Sequence, residues 1–300
     1  MEKNNNQNSI NETAKEVNAA GQDMKISVSG TGDGQPARNP VGSQEKKKQS
    51  PFNIVSAPDI QARETKEVPC LVEGIITHGL NVFSGKRKDG KSWLALYLAV
   101  QVAGNGDFWG RPTEHGGVLY MALEDSEQRI QNRLDKIMGG EAAPKNLFFT
   151  FDAYGTKKSP SVAIKEHLEA YPDTKLVIID VLPKIRGIKS DNQTEYAHDY
   201  KELGTLQSIA RKYGISILAI THNRKTKDNN DWVNNICGGT GIPSAADTIM
   251  ALDVKSKNDV GIDAIMKVTG RDIPEKTLKL HFNKENCKWE YVGAIYNPCV

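Results

Sequence analysis

Past residue 51 the chain alternates between two hydrophobic rhythms. Continuous apolar runs occur at Leu80–Ser84, Gly117–Leu123, Leu147–Phe151, Lys175–Val181, Ile215–Thr221 and Thr248–Asp253. Runs this apolar predict strands buried on both faces, as in a parallel sheet covered by helices. Between the earlier runs lie amphipathic segments that predict helices over Lys91–Ala103, Ser126–Met138, Val162–Tyr171 and Glu195–Tyr213. Strand–helix alternation of this kind argues for an α/β layer architecture. The rhythm then changes. Ile262–Thr269, Thr277–Phe282 and Cys287–Val292 read as successive strands, with turns at Gly270-Arg271-Asp272 and Asn283–Asn286, which predicts an antiparallel extension on one edge of the sheet.

The first 51 residues are different. They are rich in Asn, Gln, Ser, Gly and Lys, and no aromatic residue precedes Phe52. Such a segment buries too little apolar surface to offset the entropy of ordering it. The reading is a disordered polar tail over 1–51 and one folded domain over 52–300. The lysine run Lys46-Lys47-Lys48 reads as a solvated linker. No apolar stretch reaches the ~18 residues a membrane span needs, and the opening MEKNNNQNSI has no secretion-signal core, so a cytoplasmic location is the default. The four cysteines, Cys70, Cys237, Cys287 and Cys299, show neither metal-ligand spacing nor a disulfide framework. A formal net charge of +2 neither demands nor excludes a nucleic-acid partner.

The sharpest local signal is GKRKDGKS. Gly85, Gly90, Lys91 and Ser92 satisfy G-x-x-x-x-G-K-[ST], with the strand LNVFS before it and the helix KSWLALYLAV after it. The glycines let backbone N–H groups turn inward around phosphates, and the helix start adds its positive dipole end. Lys91 is expected on the β- and γ-phosphates and Ser92 on Mg²⁺. Gly85, Lys86, Arg87, Lys88, Asp89, Gly90, Lys91, Ser92 and Trp93 are the predicted ATP-binding residues. Two acidic strand ends accompany them. The run from Gly117 ends in Glu124 and Asp125; a carboxylate at the carboxyl end of a parallel strand can orient the water that attacks a phosphate, and Glu124 takes that role. Asp125 or Ser126 is placed to cap the following helix. The run Leu176-Val-Ile-Ile-Asp180 has the form of a Walker B strand, with Asp180 as the second Mg²⁺ residue.

Together these features resemble the RecA-type core, in the branch of hexameric replicative helicases that includes plasmid RepA and bacterial DnaB. There the glutamate lies on the strand after the phosphate-loop helix and the Walker B strand supplies only Asp, the division seen here between Glu124 and Asp180. LEDSEQRIQNRL, ITHNRK (Ile220–Lys225), GGTGIPSAADTIMAL (Gly238–Leu252) and VTGRDIPEKTLKLHF (Val268–Phe282) extend the resemblance from about Val55 to Val292. It implies a RecA-like P-loop NTPase fold, a mainly parallel sheet flanked by helices, and a ring homo-oligomer, expected to be a hexamer. It also implies a γ-phosphate sensor at His222, next to Thr221, and a trans-acting arginine finger at Arg271, with Lys267 second, both placed on and just after an edge strand.

Single-stranded DNA is the implied partner. Asn223–Cys237 is polar and expected to be mobile; it carries Arg224, Lys225, Lys227 and Trp232, a mixture suited to phosphate contact and base stacking, and equally an ordinary surface loop. Lys184, Arg186 and Lys189 follow Asp180 and read as a solvated linker, with a DNA or subunit contact as the alternative. Three functions stay open at this level: an ATP-driven motor on single-stranded DNA, helicase-like, serving a plasmid, phage or mobile element; an ATPase of the same fold that loads or remodels DNA without unwinding, such as a recombination mediator; and a slow nucleotide-dependent switch.

Overall fold

The computed structural model describes residues 52, 54–64, 68–155, 159–187, 192, 194–224, 231–236 and 241–295. The proposed tail over 1–51 lies outside them. The described residues up to Glu64 belong to a first unit, in which a short helix α1 (Ala57–Gln61) starts at Ser56, whose hydroxyl accepts from the Asp59 N–H. The unit from Thr65 to Val300 holds everything else.

That second unit opens with a small hairpin, β1 (Cys70–Val72) and β2 (Ile76–Thr77). β3 (Gly79–Gly85) leads into α2 (Lys91–Gly104). A second hairpin follows, β4 (Asp107–Phe108) and β5 (Arg111–Pro112), and then β6 (Gly117–Ala122), α3 (Glu127–Met138) and β7 (Leu147–Thr150). Next come α4 (Pro160–Ala170), β8 (Thr174–Asp180), α5 (Glu195–Tyr213), β9 (Ser216–Ile220) and α6 (Gly241–Ala245). Four long strands close the chain: β10 (Thr248–Lys257), β11 (Gly261–Gly270), β12 (Lys276–Asn283) and β13 (Lys288–Ile295).

Nine strands make one sheet in the order β13-β12-β11-β10-β3-β9-β8-β6-β7. From β10 to β7 every pairing is parallel; from β10 to β13 every pairing is antiparallel. This is the fold class read from the sequence. One placement differs. β11 pairs with β10 on one side and β12 on the other, so Lys267 and Arg271 do not belong to an edge strand. Three strands in succession look alike in hydrophobic pattern, and only their pairing decides which is outermost.

The pleat explains the two cores. Phe83, Val118, Tyr120, Leu176, Ile178, Leu218 and Ile220 point to one face, under α2 and α3, in one cluster with the inward side chains of β11–β13. Leu80, Val82, Leu119, Met121, Val177, Ile179, Ile217 and Ala219 point to the other, under α4, α5 and α6. Alternate residues of one strand thus serve opposite layers. Helix caps follow sequence chemistry: Ser126, Ser159 and Thr194 each accept an N–H three residues on, and Gly139 and Gly214 end α3 and α5 in the left-handed conformation. Among the described residues no helix is long and apolar enough to cross a membrane.

Candidate active site

The parallel register brings strand ends together. Ala122 of β6 lies beside Asp180 of β8, Asp180 beside Ile220 of β9, and Ile220 beside Phe83 of β3. The loop from Gly85 to Gly90, Glu124, Asp180, Thr221 and His222 therefore leave the same carboxyl edge of the sheet. Three strand spacings separate β6 from β3, about 14 Å between backbones.

α2 begins at Gly90, whose φ of 88° is left-handed and which provides no side-chain cap. The first N–H groups of a helix have no partner within it. Here no side chain takes them, so Lys91, Ser92 and Trp93 offer their donors to an anion. Lys88 also has a positive φ, 63°, which turns the loop backbone on itself. Lys86, Arg87 and Lys88 are exposed, while Gly85 and Asp89 are buried. The Lys91 ammonium reaches into the loop and donates to the carbonyl oxygens of Gly85 at 2.9 Å and Lys86 at 2.7 Å. Burial is the main reason its pKa falls to about 8; Asp89, Asp180 and Glu124 act in the opposite direction and Arg87 adds to the fall.

Asp180 is nearly enclosed, and burial raises its pKa despite hydrogen bonds from Ser92 and Tyr120. The Tyr120 hydroxyl donates to Asp180 Oδ2 at 2.8 Å. Tyr120 is completely buried; burial first, then the Asp180 charge, pushes its own pKa well up, so it stays a donor. Ser92 and Asp180 are thus side by side, a hydroxyl and a carboxylate suited to a hard divalent cation such as Mg²⁺. Sequence reasoning missed Tyr120, because an aromatic residue within an apolar strand gives no sign of its hydroxyl's partner.

Glu124 is exposed at the end of β6, near enough to Lys91 and His222 to perturb both. Its neighbour Asp125 is committed to its own helix, accepting from Arg129 at 2.7 Å and Arg133 at 2.5 Å. Ser126 is the cap. The two adjacent carboxylates therefore divide: Asp125 is structural and Glu124 is free to face the loop. His222 has both ring nitrogens buried without a hydrogen-bond partner. Burial, with Lys91 next, lowers its pKa, so it is neutral at neutral pH. A buried imidazole with two open nitrogens is costly unless something else satisfies it. Thr221 beside it is buried and donates its N–H to the Phe83 carbonyl at 2.9 Å. The Trp93 side chain faces elsewhere, between the Arg133 guanidinium, 5.4 Å from its ring, and Phe282. What it offers toward the loop is its backbone N–H.

Arg271 and Lys267 stand apart. β11 runs against β3, and Gly270 is level with Thr248, which is level with Asn81. Arg271 therefore lies at the amino end of β3, the opposite edge from the phosphate loop, and cannot serve its own subunit's site. Its guanidinium donates to the Ser244 carbonyl at 3.2 Å and approaches Asp247 at 3.7 Å. The same Asp247 accepts from the Leu80 N–H, Gln207 and Arg211, so it ties α5 and the start of β3 to this turn. Lys267 lies 5.9 Å from the ring centroid of Trp232, whose indole N–H donates to Glu275. Trp232 is half-buried at the base of its loop, where the Arg224 N–H meets the Asn235 carbonyl at 2.7 Å. Lys225 and Lys227 lie outside the described residues, as does Lys189. Arg186 is ion-paired with the fully buried Asp199, and Lys184 is exposed.

Comparison with solved structures bears out the fold. The chain is similar to the structure titled "ATPase Domain of G40P", with a TM-score of 0.56 at 17% identity, covering 71% of this chain and 84% of that one. It is similar at the same TM-score of 0.56 and 17% identity to a DnaB-like replicative helicase solved to describe its interactions with primase. That match covers 71% of this chain and 57% of the other, so the chain spans little more than half of that relative. No match was found among curated proteins. The resemblance to DnaB-like ATPase cores is therefore one of fold: a RecA-like P-loop architecture with the phosphate loop, Glu124, Asp180 and His222 on one edge of the sheet. A family profile matches residues 46–228, and the chain belongs to the AAA domain family.

Proposed function

We propose that this chain is an ATP-hydrolysing RecA-type motor that acts on single-stranded DNA as a ring of identical subunits, expected to be a hexamer. The observation that carries the reading is the meeting of Lys91, Ser92, Glu124, Asp180 and His222 at the carboxyl ends of adjacent parallel strands. The backbone donors of residues 85–93 and the Lys91 ammonium fit the phosphates of ATP as substrate. Ser92 and Asp180 fit Mg²⁺, which when bound would neutralise charge on the phosphate oxygens. Glu124 accepts the proton of the attacking water or orients it. His222 faces the same edge as a neutral imidazole and registers the γ-phosphate by a hydrogen bond, relaying its loss through the segment that follows it.

Arg271 supports the ring. Placed at the far edge from its own loop, it cannot reach its own site, and the proposed role is that of an arginine finger on the site of a neighbouring copy, with Lys267 on β11 second. Lys184, Arg224, Lys225 and Lys227 are the proposed contacts to DNA phosphates. Service in replication or maintenance of a plasmid, phage or mobile element rests on the resemblance of the LEDSEQRIQNRL segment to RepA-like ATPases.

The test is the ATPase rate of the full chain with and without single-stranded DNA, alongside a native mass measurement. The motor reading expects DNA stimulation and a closed oligomer. A monomer whose rate ignores DNA contradicts it.

A further inference from the structure

Three consecutive residues of the phosphate loop, Lys88, Asp89 and Gly90, are each held by the antiparallel strands that end the chain. Gly90 is the first. The Trp289 indole Nε1–H, on β13, donates to the Gly90 carbonyl at 3.0 Å. The same carbonyl accepts the first intrahelical bond of α2, from the Leu94 N–H at 3.2 Å. A Cβ at Gly90 would come within 3.0 Å of the Trp289 ring, so the ring fills the space that the absent side chain leaves. Trp289 is 1% exposed. Its position is fixed in turn by Trp109, whose indole N–H donates to the Trp289 carbonyl at 2.7 Å.

Asp89 and Lys88 are held from β10. That strand runs five residues past Leu252, the partner of Gly85, and so overhangs the loop. At its end the Lys257 ammonium lies 3.3 Å from Asp89 Oδ1 and 3.4 Å from the Lys88 carbonyl. The Asp89 carboxylate is almost fully buried, and its Oδ2 has no hydrogen-bond partner. An acid buried in a loop built for phosphates opposes anion binding unless a cation offsets it.

We propose that β10 and β13 preset the phosphate loop for ATP, with Trp289 and Lys257 as positioning residues. This rests on the reading of residues 85–92 as the ATP site. Trp289 holds Gly90 in the left-handed conformation that starts α2 and aims its first N–H groups; Lys257 cancels the charge of Asp89. A loop already ordered pays less to bind than one that must be ordered by its ligand. Neither residue touches ATP, so both act on affinity and not on the chemical step.

The test uses the full chain, with Mg²⁺-ATP titrated calorimetrically and steady-state hydrolysis measured in parallel. Trp289→Phe keeps an aromatic side chain but loses the donor and the indole atoms that pack on Gly90; Lys257→Met keeps the stem and loses the charge. Each is expected to weaken ATP binding about two- to tenfold, seen as a raised KM with kcat within about twofold. Adding Asp89→Asn to Lys257→Met is expected to restore affinity, which a merely structural role of Lys257 would not do. Lys257 is half-exposed, so this pair decides the matter even if Trp289→Phe folds poorly. Lys91→Ala is the control. If it abolishes binding while the Trp289 and Lys257 variants bind like the parent, the positioning role is overturned and the ATP site stands. If Lys91→Ala binds like the parent, the ATP site itself is overturned and the positioning role with it.

Discussion

Lys91→Met is expected to make the nucleotide-free protein more stable. Lys91 as a residue is 5% exposed, and its pKa falls from an ordinary 10.5 to about 8, chiefly by burial. At 1.36 kcal/mol per pH unit that drop corresponds to a folding penalty of about 3 kcal/mol, an upper bound. Met matches the length of the lysine stem and removes the charge. It also strips the Gly85 and Lys86 carbonyls of their donor, at a cost of about 1 kcal/mol each where water does not replace it. The net gain expected near neutral pH is therefore about 1–2 kcal/mol. The sign of the pH dependence follows from linkage. Below pH 8 lysine is charged in both folded and unfolded chains, and the folded state carries the full penalty. Between pH 8 and 10.5 the folded state releases its proton first, so the parent recovers stability as pH rises. Urea unfolding of both proteins at pH 7 and pH 10 reads the difference. The advantage of Lys91→Met should be present at pH 7 and shrink at pH 10. A variant less stable than the parent at pH 7, or a difference that does not change with pH, refutes the reasoning that burial of this charge is a strain held for binding.

Two further outcomes are expected. Tyr120→Phe removes the hydrogen bond that orients the Asp180 carboxylate, so the Mg²⁺ concentration needed for half-maximal ATPase activity should rise; an unchanged Mg²⁺ requirement removes this tyrosine from the site. Arg271→Ala should retain ATP affinity and lose turnover by about a thousandfold or more. Mixing it with Glu124→Gln subunits should restore activity that neither variant has alone, because an intact Glu124 site then meets an intact Arg271; mixtures that stay inactive argue against the trans role.

Much of this was legible before any coordinates. All six strands and the four long helices showed in the hydrophobic rhythm, but only five of those strands are buried on both faces; β7 is the sheet edge, where Phe148, Phe149 and Thr150 are half-exposed. Gly85, Lys91, Ser92, Glu124 and Asp180 could be proposed because each is tied to a local pattern, a loop or a strand end, and the fold places them on one edge of the sheet. What the sequence hid depends on contacts between distant positions. Trp289 lies 199 residues from Gly90, and Asp247 lies 167 from the Leu80 N–H that it accepts. No local spacing relates them. Pairing order was equally hidden, since β11, β12 and β13 share one hydrophobic period, and only the fold puts β11 inside and Arg271 at the far edge from the loop. His222 was a candidate by position; its two unpartnered nitrogens make the stronger case and need the surrounding packing to be seen.

The central claim is that the carboxyl edge of β3, β9, β8 and β6 hydrolyses ATP with Glu124 directing the water. Glu124→Gln tests it most directly, because Glu124 is exposed and its replacement leaves the fold intact. ATP binding by calorimetry and phosphate release in single turnover are measured on the same preparation. The account predicts parental ATP affinity with hydrolysis slowed by about a hundredfold or more. Parental affinity with parental hydrolysis would contradict it.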